Sequence, residues 1–214
     1  FDAEAQIVRE LGKFLKEGSL YRGFKPVLWS TVEKTALADA EVEYQDHKSD
    51  TIYASFPVKS SNIKELNDSE IVIWTTTPWT IPANKALAYN ESLEYLLIEV
   101  NDDGDFKNKK IVIADALIDS VVKDTKIQSF KKLKNFKGKD LKGTICNHPF
   151  LKLGYEYDIP MLEAHFVTTE QGTGIVHCAP SHGPDDFNLC MNNGIKAIET
   201  VDGDGKYTKN VALF

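Results

Sequence analysis

Two stretches of this chain gather side chains that could do chemistry. The first is Trp74-Thr75-Thr76-Thr77-Pro78-Trp79-Thr80-Ile81-Pro82-Ala83-Asn84, where three consecutive hydroxyls follow the apolar run Ile71-Val72-Ile73. A hydroxyl both donates and accepts, so a row of them at the end of a strand suits a polar ligand. Pro78 and Pro82 remove two backbone donors and stiffen the exit from the strand. The second stretch runs from Gly172-Thr173-Gly174 through Ile175-Val176-His177-Cys178 to Gly183-Pro184-Asp185-Asp186-Phe187. It delivers an imidazole to a tight loop and then opens a helix with two carboxylates in its first turn. The helix N-terminus favours the ionised form of such a carboxylate, which then suits a substrate ammonium group. Each stretch also has a plainer reading. The threonines could be a β-branched strand end with a stiff turn, and the aspartates could merely complement the helix dipole. At least one of Asp185 and Asp186 is expected to do no more than that.

Other chemistries can be weighed on the same residues. Gly172-x-Gly174 lacks the third glycine of a dinucleotide loop, because His177 stands in its place. His177, Cys178, His182 and Cys190 could contribute to a zinc site, but no Cys-x-x-Cys pair exists and the spacing fits no common structural site. Cys178 adjoins His177, yet neighbours on a strand face opposite ways, which separates a thiol nucleophile from that base. Asp102-Asp103-Gly104 and Asp202-Gly203-Asp204-Gly205 read as turns, not as calcium loops. Between 123 and 143 eight lysines stand against Asp124 and Asp140, with Phe130 and Phe136 interleaved. That run reads either as a solvated loop with two anchoring phenylalanines or as a surface for a phosphate backbone.

Elements must position these residues. Apolar residues Ile7, Leu11, Phe14 and Leu15 recur at helical spacing over 2–17, giving an amphipathic helix in need of a partner. Strands are expected over 27–29, 40–44, 51–58, 70–74, 94–100, 110–114, 143–146, 162–167 and 174–177, with helices over 115–123 and from 184 to just before Gly194. Many short strands with few helices favour an α/β fold with β predominant, barrel-like rather than doubly wound. The 214 residues suffice for one large domain, and 42% hydrophobic content excludes a disordered chain. A net charge of -7, from 32 acidic against 25 basic residues, argues against a nucleic-acid coat and leaves a local basic patch open. Three scattered cysteines, Cys146, Cys178 and Cys190, suit a reducing compartment. No apolar run approaches a membrane span and no secretory leader opens the chain. Starting at Phe1 and stopping at Phe214 without a cap, it reads as a piece of something longer.

The two chemistry-bearing stretches together closely resemble the inserted editing domain, or connective peptide, of the isoleucyl-tRNA synthetases, a class I aminoacyl-tRNA synthetase family. Residues 21–29 (Tyr-Arg-Gly-Phe-Lys-Pro-Val-Leu-Trp) and 35–44 are similar to the lead-in to that insert. Valyl and leucyl relatives carry a Thr-Arg-Pro type motif in place of Thr-Thr-Pro-Trp. Departures are small: Ile81 for leucine, Phe187 for tyrosine and Ser181 for glycine. The His-x-Gly-His and Lys-Met-Ser-Lys-Ser signatures of the synthetic site are nowhere in the chain.

The resemblance implies a helical segment over 1–20 leading in from the synthetase core and an editing domain over 21–214. It implies post-transfer editing, the hydrolysis of valine wrongly esterified to the isoleucine tRNA. Asp186, His177 and Thr76 would be catalytic: Asp186 on the α-amino group, His177 and the threonines shaping the side-chain pocket and holding the ester. Thr75, Thr77, Trp74 and Asn84 would bind or support the substrate. Water would attack with no enzyme-bound acyl intermediate. No cofactor or metal is implied for this stretch, since ATP and magnesium belong to the synthetic domain. The implied partners are the charged acceptor end of the tRNA and the rest of the synthetase, in the cytoplasm and away from membranes. Two alternatives stay open: a tRNA-end binding module without hydrolysis, and an editing domain of the valyl enzyme.

Overall fold

The computed structural model describes residues 1–214. Helix α1 (Asp2–Lys16) forms where the apolar spacing expects it, and Gly18 ends it in the left-handed region at φ +76°. None of its residues is buried, so its stripe of Ile7, Leu11, Phe14 and Leu15 stays open. A small ribbon follows, β1 (Trp29–Ser30) paired with β2 (Thr35–Ala36). In place of the strand expected over 40–44 there is a 3-10 turn, Asp39–Glu41. The Glu41 carboxylate accepts the Ala38 N–H at 2.7 Å and closes the chain on itself.

From Ile52 the chain builds one mixed nine-stranded sheet. Its strands are β3 (Ile52–Ser60), β4 (Glu70–Thr75), β5 (Ala86–Tyr89), β6 (Glu94–Val100), β7 (Lys110–Ala114), β8 (Phe130–Lys137), β9 (Ile145–Asn147), β10 (Asp158–Glu163) and β11 (Val176–Cys178). Their spatial order is β11-β5-β10-β9-β3-β4-β7-β6-β8. Only the pairs β10–β5 and β4–β7 are parallel. Two helices accompany it, α2 (Ile118–Asp124) and α3 (Pro184–Asn192). None of the helices is long and apolar enough to cross a membrane. A predominantly β domain with few helices is thus what the chain forms. The sheet coils so far that β11, at one end, packs back against β4 in the middle. It does not close, because β11 and β8 each keep only one hydrogen-bonded neighbour.

The coil explains the burial. Ile71-Val72-Ile73 of β4 and Ile111-Val112-Ile113-Ala114 of β7 are all fully buried, so both faces of these strands are covered. They share one core with Phe56, Tyr95, Leu97, Ile98 and Leu141. A smaller cluster of Ala86, Ala88, Ala164, Val167, Cys178 and Cys190 seats α3 against β5 and β11.

Three strands differ from expectation for identifiable reasons. Strand β5 reads Ala-Leu-Ala-Tyr, without a β-branched residue, and is made a strand by its two partners β10 and β11. Strand β10 ends at Glu163 instead of running over 162–167. It pairs with β9 over 158–160 and with β5 over 161–163, and Pro160, which has no N–H to offer, sits at the switch. The lysine run is no loop: 130–137 is the edge strand β8, where Lys132, Lys134 and Lys137 pair with Asp115, Glu65 and Glu94. Charged side chains on an edge discourage pairing with another chain.

Candidate active site

A cleft of about 240 Å³ opens where β4 runs out beside β11 and the start of α3. Thr75, the last residue of β4, accepts the Thr77 N–H on its Oγ1 at 3.1 Å and turns the chain out of the sheet. Pro78 then opens a 3-10 helix, Pro78–Ala83, at the position where its missing N–H costs nothing. The Thr80 amide and hydroxyl both donate to the Thr77 carbonyl, at 2.9 and 2.8 Å. The prolines therefore shape a rigid turn that carries hydroxyls along one wall.

The opposite wall hangs on Gly174. Its φ is +73°, and a Cβ there would lie 2.4 Å from the Ala114 Cβ. The Gly174 carbonyl accepts the Tyr95 hydroxyl at 2.8 Å, and the Thr173 carbonyl accepts the Ala114 N–H at 2.8 Å. Those ties fix the approach of β11 and bring His177 to the cleft.

Both ring nitrogens of His177 are committed. Asn84 Nδ2 donates to the Ala86 carbonyl at 2.9 Å and to His177 Nδ1 at 3.1 Å. Nδ1 is therefore the acceptor, and Nε2 carries the proton. That Nε2–H meets Thr80 Oγ1 at 2.7 Å, whose own proton goes to the Thr77 carbonyl. Burial pulls the His177 pKa down to about 4, with His148 and His182 adding to the shift. The ring is a neutral wall pinned at both ends, and neither nitrogen is free to take a proton. Behind it, the Asn84 carbonyl accepts the Tyr157 hydroxyl at 2.9 Å, and His148 Nε2 donates to the Ile81 carbonyl at 2.9 Å.

Asp186 enters from the first turn of α3. One carboxylate oxygen accepts the Ala179 N–H at 2.9 Å, and no Lys, Arg or His lies within ion-pair distance. Its pKa is raised: burial outweighs the Ala179 hydrogen bond, and Asp185 adds to the rise. A helix N-terminus favours the ionised form expected from the sequence, and here desolvation prevails over it. Asp185 is exposed and outside the cleft.

Of the residues singled out from sequence, Trp74, Thr75, Thr77, His177 and Asp186 line the same hollow. Thr76 does not: it is exposed and lies outside the lining, at the bend between the end of β4 and the 3-10 helix. Asn84 is fully buried behind His177 and supports it without lining the cleft. Sequence reasoning missed Thr80, Trp79, Val176 and Ala179 as lining residues, and saw His182 only as a zinc candidate. The offset of three from Thr77 to Thr80 in a Pro-headed turn is the signal that could have found Thr80. His182 stands edge-on to Trp79, with centroids 5.0 Å apart, and bonds Thr200 Oγ1 at 2.7 Å through Nε2. Cys178 points into the alanine cluster, its thiol pKa driven up by burial, so it is no nucleophile. Nowhere do three His, Cys, Asp or Glu side chains converge as a metal site needs.

The family model for tRNA synthetases class I (I, L, M and V) matches residues 1–175. The isoleucine–tRNA ligase of Pelagibacter ubique is 81% identical over all of this chain, which covers 24% of that protein. That of Gluconobacter oxydans is 49% identical over 97% of this chain, covering 22% of that protein. The chain thus spans about a quarter of the length of the curated relatives it matches. The P. knowlesi cytosolic leucyl-tRNA synthetase editing domain shares the fold at TM-score 0.51 and 13% identity, over 67% of this chain and 62% of that one. The GlLeuRS-CP1 crystal structure does so at TM-score 0.51 and 14% identity, over 76% of this chain and 69% of that one.

Proposed function

Since the chain belongs to the class I tRNA synthetases (I, L, M and V), we propose that it is the editing portion of an isoleucine-specific enzyme and that its cleft hydrolyses valine wrongly joined to the isoleucine tRNA. The observation that carries this reading is Asp186: a half-buried carboxylate with no cationic partner, opposite a wall of hydroxyls. Such a group is costly to the fold and is what an α-ammonium needs. The 81% identity to an isoleucine–tRNA ligase favours isoleucine over the valyl alternative.

The need for a second site follows from the first. One methylene changes pocket binding by only ~1–3 kcal/mol, a figure that comes from isoleucyl enzymes themselves and not from this cleft. A second site destroys what the first admits. In this one, Asp186 binds the ammonium and the Thr75 and Thr77 hydroxyls hold the ester and the incoming water. The His177 ring closes the side-chain end. Water oxygen adds to the ester carbonyl, the bond to the ribose oxygen breaks, and valine and tRNA are released with no acyl-enzyme. The partners are the acceptor end of the tRNA and the remainder of the synthetase, in the cytoplasm; ATP and magnesium serve the synthetic domain.

The test is deacylation of valyl-tRNA and isoleucyl-tRNA by the complete synthetase and its His177→Ala variant. The wild type is expected to release valine and spare isoleucine, and the enlarged pocket to cleave both. A wild type that binds valyl-tRNA and releases nothing would leave a tRNA-end binding module instead.

A further inference from the structure

Outside the cleft, one short hairpin grips both of its walls. Over residues 200–208, Val201 bridges Tyr207 and the Thr208 N–H donates to the Thr200 carbonyl at 3.0 Å. One arm holds the loop between β11 and α3. The Thr200 hydroxyl is buried and has no other acceptor, so it donates to His182 Nε2 at 2.7 Å. Just before the hairpin, the Ile198 carbonyl accepts the Ser181 hydroxyl of the same loop. The other arm holds the threonine turn, where the Tyr207 hydroxyl donates to the Trp79 carbonyl at 2.6 Å. That carbonyl needs an outside donor. In a 3-10 helix it would take the N–H three residues on, and that residue is Pro82. The hairpin tip has its own footing beside the β1–β2 ribbon: Trp29 Nε1 donates to the Gly203 carbonyl at 3.0 Å, and Lys34 pairs with Asp204 at 2.6 Å.

We propose that Tyr207 and Thr200 are specificity-determining positioning residues, a clasp that fixes the width of the cleft by holding its two walls from outside; this rests on the editing reading above. Neither residue lines the cleft, so each acts through the wall it holds. Tyr207 fixes Trp79, the residue before Thr80, and Thr80 is the partner that pins the His177 ring at Nε2. Thr200 fixes His182, which meets Trp79 edge-on with ring centroids 5.0 Å apart and so links the two walls. The threonine turn is thus held from inside by Thr80 and His177 and from outside by Tyr207. With either arm of the clasp opened, the turn loses its outer restraint. The pocket can then widen by the one methylene that separates isoleucine from valine.

The experiment measures deacylation of valyl-tRNA and isoleucyl-tRNA by the complete synthetase carrying Tyr207→Phe, Thr200→Val or Thr200→Ser, and by Tyr207→Phe combined with Thr80→Val. Phenylalanine keeps the ring packed on Phe214, with centroids 5.1 Å apart, and removes only the hydroxyl. The net strength of an ordinary hydrogen bond corresponds to roughly 2- to 12-fold. Tyr207→Phe and Thr200→Val should each raise kcat/KM for isoleucyl-tRNA relative to valyl-tRNA by about that factor. Thr200→Ser keeps the hydroxyl and should recover most of the discrimination that Thr200→Val loses. Because Tyr207 acts through Thr80, adding Tyr207→Phe to Thr80→Val should shift the ratio no further. A merely structural hairpin would lower the melting temperature and leave the ratio where it is. An unchanged ratio in either single variant, or a full second increment in the Thr80→Val background, would overturn the clasp, while valine release by the wild type keeps the editing reading. If the wild type releases no valine, the editing reading falls and the clasp falls with it.

Discussion

Asp186→Asn separates a functional carboxylate from a structural one, because the two roles move activity and stability in different directions. The Asp186 carboxylate accepts one hydrogen bond, from the Ala179 N–H, and the asparagine carbonyl can accept it too. The turn leading into α3 is thereby kept, and only the charge is lost. An ammonium ~3 Å from the carboxylate at an effective dielectric of ~20 gains about 5–6 kcal/mol before desolvation. Desolvation cancels much of that, and the net worth of a hydrogen bond to a charged group is ~1.5–3 kcal/mol. Valyl-tRNA deacylation should therefore lose roughly 10- to 150-fold in kcat/KM.

Stability should not follow. Burial raises the Asp186 pKa above its ordinary value of 3.8, so the folded state prefers the protonated carboxyl. Stability from that preference is full below 3.8 and is lost as pH rises through the raised folded value. At neutral pH the ionised group costs stability, and a neutral amide should match or exceed the wild-type melting temperature. Deacylation and thermal melts of one preparation check both signs. A variant that hydrolyses normally and melts several degrees lower would refute the reasoning and make Asp186 a helix-start device.

Further outcomes follow from the same geometry. Thr80→Val removes the acceptor of the buried His177 Nε2–H. An orphaned buried donor costs ~1–3 kcal/mol, which at about 2–4 °C per kcal/mol for this chain length lowers the melting temperature by roughly 2–12 °C. The released ring should also let isoleucyl-tRNA be cleaved, which the deacylation assay reads. In acid, His148 and His177 are held neutral with pKa values of about 4 against 6.5 when unfolded. The unfolded chain then binds more protons, so stability should fall as pH drops from 6.5 towards 4, by up to about 2.7 kcal/mol per pH unit for the two together. Urea melts across that range test it, and His148→Phe should halve the slope. Gly174→Ala forces a Cβ against Ala114 at a positive φ and should cost about 2–5 kcal/mol. It should reduce deacylation as well, because the displaced strand carries His177.

The legible part of this chain was what local chemistry writes down. The apolar run 71–73, the proline-headed turn after it and the Pro184 helix start each obey rules that act over a few residues. They placed Thr75 and Thr77 where β4 runs out and Asp186 in the first turn of α3, whereas His177, expected at a strand end, stands in the middle of β11. Contacts between distant strands were not legible. Ala86–Tyr89 has the composition of a helix and becomes a strand only between β10 and β11. The lysines of β8 hid an edge strand whose register skips at Leu133. Thr76 and Thr80 show the limit within the site itself. Sequence order suggests three adjacent threonines as a set, whereas the turn geometry pairs Thr75 and Thr77 with Thr80 and leaves Thr76 outside. Which hydroxyls act together depends on whether the chain is extended or in a 3-10 turn, and that switch occurs inside the motif.

On the proposed function, selectivity in this cleft has to come from stiffness more than from polarity, because valine and isoleucine differ only by a methylene. The hollow meets that demand at some expense to the fold. His177 is buried and neutral, Asn84 Oδ1 is sealed from solvent without a partner, and burial disfavours the charge on Asp186. All three lie in or directly behind one hollow, as groups kept for function tend to do. On the proposed function, an isoleucine side chain that meets the His177 ring must displace it, and the ring cannot move without breaking the bond to Thr80 or to Asn84. Either loss strands a buried polar group at ~1–3 kcal/mol, a bias of roughly 5- to 150-fold against the larger side chain. The Asn84 orphan fits the same logic. Its amide spends both available donors on Ala86 and His177 to hold the ring, and the unpaired oxygen is the consequence of fixing the tautomer.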